Sequence, residues 1–450
     1  MFEKIKNITD FLWGVPLSIL MVGTGLYLSI RIGMFQFIKI PTILKKTLGQ
    51  ITKKDNDKND GNLSPFEALS TVLAGTIGSG SIAGVAVAIA IGGPGAVFWM
   101  WLIAFFGMAT KMAEVTLAVN YREKGKNGEY YGGPMYYIKN GLGKNCKFLS
   151  YIYSIAMVVI CLTDACVIQV NTTVNAMENA FNIPTLVTGV VIVVSSFIII
   201  IMGIKSIGNF CSKLVPLMTF VYIVLTLGVV IINFTKIPET FLMIFKYAFA
   251  PTPATGGFLG ATIAKTIGNG VSKGIFSNEA GMGTSSTVHA TAKTDHPAHQ
   301  GLYGVIEVLA TMIICTLTAL SILCSGVWTN GHEGIDLAFD SFRQIWGNMG
   351  AILGCIAVTL FAYSSYLGFF VEYRTAVSHA FSKSSFKYLK WFYFAIPIVS
   401  SLIEVKSAWD LADIAVGFIV IPNIIALILL SPKFVELFKK YRKTNISSSS

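Results

Sequence analysis

Charge is what this sequence of 450 residues has least of: Asp, Glu, Lys and Arg make up 13% of it, where a soluble domain carries about 25%. With 54% apolar residues and a mean hydropathy of +0.66, the chain cannot cover its surface in water. That excludes a soluble globular protein and leaves an integral membrane protein. Paired cysteines are missing as well. The seven cysteines form no CxxC pair and most sit in apolar runs, which excludes a disulfide framework and reads them as small buried hydrophobes. Histidine is scarce, at five residues. His296 and His299 in DHPAH lie on a Pro-containing loop with no cysteine nearby, a poor metal site. Long polar stretches are lacking too, so no soluble domain of any size fits and the chain reads as one membrane domain. The polar run TKKDNDKNDGN at 52–62 reads as a linker, and TNISSSS at 444–450 as a disordered tail.

Apolar segments make up most of the rest. A spanning helix needs about 20 apolar residues, and eleven segments qualify: 11–35, 66–91, 95–121, 148–181, 184–203, 213–233, 256–284, 300–327, 346–378, 388–404 and 410–431. The first is too long for the core of a cleavable signal and reads as a retained helix. Lys and Arg set the orientation. With the N-terminus outside, 23 of them fall in inward-facing segments and 6 in outward-facing ones, alternating correctly over eleven spans. The net charge of +11 is therefore a topology signal and implies no nucleic-acid partner.

Two of these segments are unlike ordinary membrane helices. The second contains LAGTIGSGSIAGVA, in which Gly75, Gly78, Gly80 and Gly84 crowd together with Thr76, Ser79 and Ser81. Each helical glycine costs about 1 kcal/mol relative to alanine, so the helix can unwind here. Freed backbone amides and carbonyls in a discontinuous helix can take an anionic group and a cation. A small-residue packing face is the competing reading. The seventh segment, TIGNGVSKGIFSNEAGMGTSS, repeats the pattern with Gly268, Gly270, Gly274, Gly281 and Gly283. Two interrupted helices five spans apart are what an inverted repeat of five helices, preceded by one extra helix, would produce, and this favours a midplane binding site over packing.

Other polar residues fall inside spans. Asp164, Gln169 and Asn171 lie in the fourth; Gln169 is the better ligand, since a neutral amide binds a zwitterion at small desolvation cost. Lys111 and Glu114, three apart, read as a structural ion pair. Ser364 and Ser365 in LFAYSSYLG offer hydroxyl oxygens suited to Na⁺, or to bonds between helices.

The strings LAGTIGSGSIAGVA, GGPGAVFWMW, GGPMYYI, GIFSNEAGMGTSS, CTLTAL, LFAYSS and IPN, spread over residues 64–430, resemble the alanine or glycine:cation symporters, the sodium:alanine symporter family. The resemblance implies an all-α integral membrane protein of eleven helices, a LeuT-like 5+5 inverted repeat after one extra helix. It divides the chain into an extra helix and linker (1–62), two repeats (63–233 and 234–431) and a cytoplasmic tail (432–450). It implies no enzyme activity and no cofactor. It further implies Na⁺ as coupling ion, a small amino acid such as alanine or glycine as substrate, and residence in the cell membrane. Thr76, Gly78, Gly80, Ser81 and Gln169 then resemble the substrate site, with Asn269 on the stretch 265–270 as a further contact. Ala74, Gly75, Ser364 and Ser365 resemble the Na⁺ site. Coupling to protons through Asp164 or Glu279 is the alternative. Two departures stand out. Ser81 replaces the Asn of the family's GxGNIAG, and FFVEYRTAV stands where a YYGE-like string is usual.

Overall fold

A computed structural model describes residues 15–50, 60–78, 80–125, 128–332, 334–400 and 406–445. The start of the first expected span, the linker at 52–59, the end of the tenth span at 401–404 and the tail at 446–450 lie outside them.

The described chain is helical apart from one two-stranded antiparallel ribbon, Glu123–Lys124 against Tyr130–Tyr131. Helix α1 spans Val15–Arg31, and short helices follow at Phe35–Ile38 and Ile40–Lys46. Helix α2 (Pro65–Thr76) starts at a capping box. The Ser64 hydroxyl accepts from the Glu67 amide at 3.1 Å, the Glu67 carboxylate accepts from the Ser64 amide at 2.8 Å, and Pro65 takes the first position. The chain then bends at Ile77–Gly78 and re-enters through a π-helical turn, Gly80–Gly84, into α3 (Val85–Gly92). Gly93, at φ +74°, and Pro94 stop that helix.

Next come α4 (Ala96–Asn120), α5 (Pro134–Gly141) and α6 (Lys147–Ile160). A second π segment, Cys161–Gln169, joins α6 to α7 (Val170–Phe181). Then follow α8 (Thr185–Ile201), α9 (Ile204–Ile232), α10 (Ile237–Ala248), α11 (Ile263–Asn278), α12 (Ser286–His289) and α13 (Pro297–Ser325). The last three are α14 (Ile335–Ala380), kinked at Gly347, α15 (Phe386–Ser400) and α16 (Lys406–Asn445).

Among the described residues, six helical stretches are each long and apolar enough to cross a membrane: Ala96–Asn120, Lys144–Glu178, Ile204–Ile232, Pro297–Ser325, Ile335–Ala380 and Ile414–Thr444. A seventh is the pair Pro65–Thr76 and Gly80–Gly92, bent by 50°. This falls short of the eleven expected. Helices α1 and α8 are apolar but short, α15 has 15 residues, and α11 is diluted by Lys, Asn, Ser, Thr and Gly. Helix α16 continues through Pro432 to Asn445, so the first two residues of the expected tail at 444–450 are helical and the others lie outside the described residues.

The core gathers α2, α4, α9, α13 and α14, with aromatic anchors such as Tyr137, Tyr153, Tyr222, Tyr366 and Phe361 fully buried. Its outer surface is apolar, as the lipid-facing side of a membrane protein must be: Val194, Ile198, Leu217, Phe220 and Ile231 are all exposed.

Candidate functional site

The break between α2 and α3 is the centre of the candidate site. The Ser365 hydroxyl on α14 donates to the Ala74 carbonyl at 2.7 Å and to the Gly75 carbonyl at 3.2 Å. The neighbouring Ser364 hydroxyl donates to the Phe361 carbonyl of its own helix at 2.9 Å, with its oxygen 3.3 Å from the Ala74 carbonyl oxygen. Both serines are fully buried. Two hydroxyls and two carbonyl oxygens thus converge where α2 runs out of intrahelical partners, a set of hard oxygen ligands suited to a small cation.

Gly78 closes the other side. A Cβ built on it would stand 2.4 Å from Ser365 Oγ and 3.3 Å from Gln169 Nε2. Gly78, Ser365 and Gln169 therefore meet, and glycine is required by that close approach. At Gly75 an added Cβ would touch nothing within 4 Å, so space opens beside the Gly75 backbone. Gln169 is 2% exposed and donates to Asp164 Oδ1 at 3.0 Å. It ends the second π segment, which therefore reaches Gly78, two residues before the first π turn begins. Such wide turns recur at functional sites because they free backbone groups and re-aim side chains.

Thr76 and Ser81 are buried, and the Ser81 hydroxyl spans the break to the Thr76 carbonyl at 3.1 Å. The Thr76 hydroxyl turns back to the Val72 carbonyl at 3.2 Å. From the facing helices, Ser277 donates to the Gly80 carbonyl at 2.9 Å and Thr318 to the Ser81 carbonyl at 3.3 Å. The sequence reading did not single out those two as ligands of the break. Ser277 lay in the second Gly-rich segment and Thr318 in the CTLTAL string, but nothing local marked their partners.

Helix α11 runs antiparallel beside α3. Thr266 donates to the Gly92 carbonyl at 2.7 Å at one end, and Ser277 reaches Gly80 at the other. The structure corrects the expectation for the 265–270 stretch. Helix α11 passes through Gly268, Gly270 and Gly274 without interruption. A Cβ on Gly270 would lie 2.4 Å from the Ala96 carbonyl oxygen, and one on Gly274 2.5 Å from Ile103 Cγ2, so these two glycines let α4 pack close. Asn269 bonds its own helix, donating to the Lys265 carbonyl at 2.9 Å, and its Cβ sits beside Gly92 at the far end of α3. It is not brought to Gly78 and Gln169.

The interruption of this segment comes later, between Asn278 and Ser286. Glu279 adopts a left-handed conformation at φ 51°, followed by Gly281 at +92° and Gly283 at +75°. A buried polar network holds this loop. Glu114 Oε1 accepts from the Gly281 amide at 2.8 Å and from Asn423 at 2.7 Å. Tyr137 donates to Asn423, Tyr153 donates to the Met282 carbonyl at 2.7 Å, and Thr284 donates to Glu279. Lys111 lies 3.1 Å from Glu307, 2.7 Å from the Ser285 hydroxyl and 3.9 Å from Glu114. The expected Lys111–Glu114 pair is thus the longer arm of a network whose shorter arm is Glu307. Glu372 is 3% exposed, one of its oxygens has no hydrogen-bond partner, and it feels the charges of Glu279, Lys111, Glu307 and Asp164.

His296 caps α13, its Nδ1 accepting from the Ala298 amide at 3.1 Å; His299 faces Asp295 at 2.9 Å and the Lys46 carbonyl at 3.1 Å. Among the described residues no group of three His, Cys, Asp or Glu is arranged to hold a metal.

A cavity of about 750 Å³ borders the first π turn at Ala83 and is further lined by Val87, Asn171, Asn175, His332, Asp340 and Arg343. At its mouth His332 Nδ1 lies 2.6 Å from Asp340, whose hydrogen bond and charge raise the imidazole above its usual value.

A bent helix whose freed carbonyls meet hydroxyls from a second helix, beside a polar cavity in a lipid-faced helical body, is the arrangement of a membrane transporter rather than an enzyme. The solved structure of MhsT in complex with L-phenylalanine has the same fold at a TM-score of 0.60, covering 84% of this chain and 93% of that one at 15% identity. The profile of the sodium:alanine symporter family matches residues 1–450, and the chain belongs to that family. It is 40% identical to the uncharacterised transporter YflA of Bacillus subtilis, over 97% of this chain and 93% of that protein. It is 35% identical to the sodium/alanine symporter AgcS of Methanococcus maripaludis, over 98% and 97%. Family membership makes it a cation-coupled amino-acid symporter.

Proposed function

We propose that this protein couples inward flow of Na⁺ to uptake of a small neutral amino acid, such as alanine or glycine, by alternating access. The amino acid's carboxylate binds at the Thr76–Ser81 break with its polar contact from Gln169. Na⁺ binds among the Ala74 and Gly75 carbonyls and the Ser364 and Ser365 hydroxyls. The proposed frame is eleven spans in two inverted repeats, with the N-terminus outside and the C-terminus in the cytoplasm of a cell-membrane protein. The observation that carries this reading is the approach of Ser365 Oγ to the Ala74 and Gly75 carbonyls, at 2.7 and 3.2 Å, beside Gly78 and Gln169. The name of AgcS as a sodium/alanine symporter points the same way. Moving one Na⁺ down 100 mV supplies about 2.3 kcal/mol before its chemical gradient is counted.

The test is uptake of labelled alanine, glycine, serine and glutamine into proteoliposomes, with and without a Na⁺ gradient. Absence of Na⁺-stimulated uptake for all four would sink the reading. A second reading couples transport to protons through Asp164 or Glu279. Its support is the crowding of buried carboxylates, Glu114, Glu279, Glu307 and Glu372, against two basic groups, Lys111 and the His289 imidazole 3.3 Å from Glu307, since buried unpaired carboxylates are costly as anions. Uptake that persists without Na⁺ and collapses with a protonophore would favour it.

A further inference from the structure

A second cavity, of about 690 Å³, shares no lining residue with the candidate site and lies toward the end of the molecule that carries the strand ribbon and the turns at 202–203 and 381–385. This is the cytoplasmic end in the proposed orientation. Its wall combines Arg374, Lys383 and Lys390 with Phe197, Phe386 and Phe394; among the described residues its single carboxylate is Glu129. Three cations thus face one anion.

Arg374 shows that this surplus is built in. It is 8% exposed, its Nη1 lies 2.7 Å from Glu129, and its Nε and Nη2 are buried with no hydrogen-bond partner among the described residues. A guanidinium presents its donors as a planar fork matched to two oxygens of one phosphate, and here half of that fork is unused. Tyr131 holds the charges in place: its ring lies 4.9 Å from the Arg374 guanidinium carbon and 4.5 Å from Lys383 Nζ. The cavity borders apolar surface, where Ile198, Ile201, Trp391 and Phe392 are each more than half exposed. A ligand that meets all of this has a phosphate for the cations and hydrocarbon for the adjoining surface.

We infer that the cavity between α8, α14 and the start of α15 binds the phosphodiester headgroup of an anionic glycerophospholipid, with Arg374 as its buried anchor and Lys383 and Lys390 at its rim. Basic pockets between membrane helices at the cytoplasmic surface recognise such headgroups. The site is separate from the transport site, so the inference stands whichever ion drives transport.

The test is native mass spectrometry of the purified full chain, titrated with phosphatidylglycerol and with phosphatidylcholine of the same acyl chains. Wild type should retain phosphatidylglycerol preferentially and unfold at higher temperature in its presence. Arg374→Gln should abolish that preference. Lys383→Gln with Lys390→Gln, which leaves the Arg374–Glu129 pair intact, should reduce it several-fold and serves as the test if Arg374→Gln does not fold. Equal retention of the two lipids, or an unchanged preference in the lysine double variant, would overturn the inference. So would stabilisation by inorganic phosphate or glycerol phosphate with none from the lipid, because the occupant would then be a soluble anion.

Discussion

The Ser365 hydroxyl donates to the Ala74 carbonyl at 2.7 Å, across the point where α2 gives up its helical hydrogen bonds. A serine there supplies both a donor to the freed carbonyl and an oxygen to a cation. Ser365→Ala removes both. A hydrogen bond of this kind contributes about 0.5–1.5 kcal/mol to stability, so the protein should still fold. Uptake measured against Na⁺ concentration should show a raised KM for Na⁺, with the maximal rate recovered in part at high Na⁺. A loss of thermal stability with unchanged Na⁺ dependence would assign the hydroxyl to helix packing.

Gly78 and Gly75 make opposite predictions although they sit three residues apart. Alanine at Gly78 would drive its methyl to 2.4 Å from Ser365 Oγ, whereas alanine at Gly75 meets nothing within 4 Å. Gly78→Ala should abolish uptake, and combining it with Ser365→Ala should relieve part of the defect in substrate binding. Gly75→Ala should leave the melting temperature unchanged and reduce amino-acid binding, because its methyl enters the open space beside the break. Wild-type uptake by Gly78→Ala would remove that residue from the site.

The first break was legible because glycine in a helix interior is costly, and a cluster of four with Ser and Thr around it has few other uses. The second was legible only as a region. Gly268, Gly270 and Gly274 have the same composition as the first cluster, yet Gly270 and Gly274 serve close packing against α4 within an intact helix. The interruption falls on Glu279–Ser285 and begins with a left-handed Glu279, a conformation that a glutamate's identity does not announce. The π segment at Cys161–Gln169 left one trace, the polar residues Asp164 and Gln169 within it. The partnership of Lys111 with Glu307 on a distant helix left none. Six or seven of the eleven expected spans are long and apolar enough to stand as spans by themselves, and short or diluted helices such as α8 and α11 do not reach that length or hydropathy, because hydropathy records composition and not whether neighbouring helices shield a polar stretch.

The packing role of the α11 glycines can be separated from a binding role. Gly274→Ala places a methyl 2.5 Å from Ile103 Cγ2 and 3.2 Å from the Met100 backbone. Overpacking of this sort costs about 1–3 kcal/mol, so the unfolding temperature in detergent should fall. Asn269→Ala loses only a bond to its own helix and should leave both stability and the KM for substrate near wild type. A large rise in substrate KM for Asn269→Ala would return that residue to the pocket.

Ser81 is fully buried, its hydroxyl donating to the Thr76 carbonyl across the break and its own carbonyl accepting from Thr318. Ser81→Asn puts a larger amide, with two donors and an acceptor, at the same place. Relative uptake of alanine, glycine and serine should shift, with the largest substrate losing most as space is taken. Unchanged selectivity would move Ser81 out of the substrate site and leave it a brace between the two halves of the helix.

The network around the second break makes the prediction most independent of substrate. Lys111, Glu114 and Glu307 are all completely buried, with Lys111 Nζ 3.1 Å from Glu307 and 2.7 Å from Ser285. Removing one member of a buried pair strands the other charge, at a cost of about 3–5 kcal/mol, whereas replacing both members by neutral groups can cost far less. Lys111→Met alone should lower the unfolding temperature sharply and loosen the Glu279–Ser285 loop that Ser285 anchors. Adding Glu307→Gln should recover part of that loss, because residues in one network are not additive. If the double variant instead shows the sum of the two single losses, Lys111 and Glu307 act independently and the loop is held by its other contacts, from Glu114, Asn423 and Tyr153.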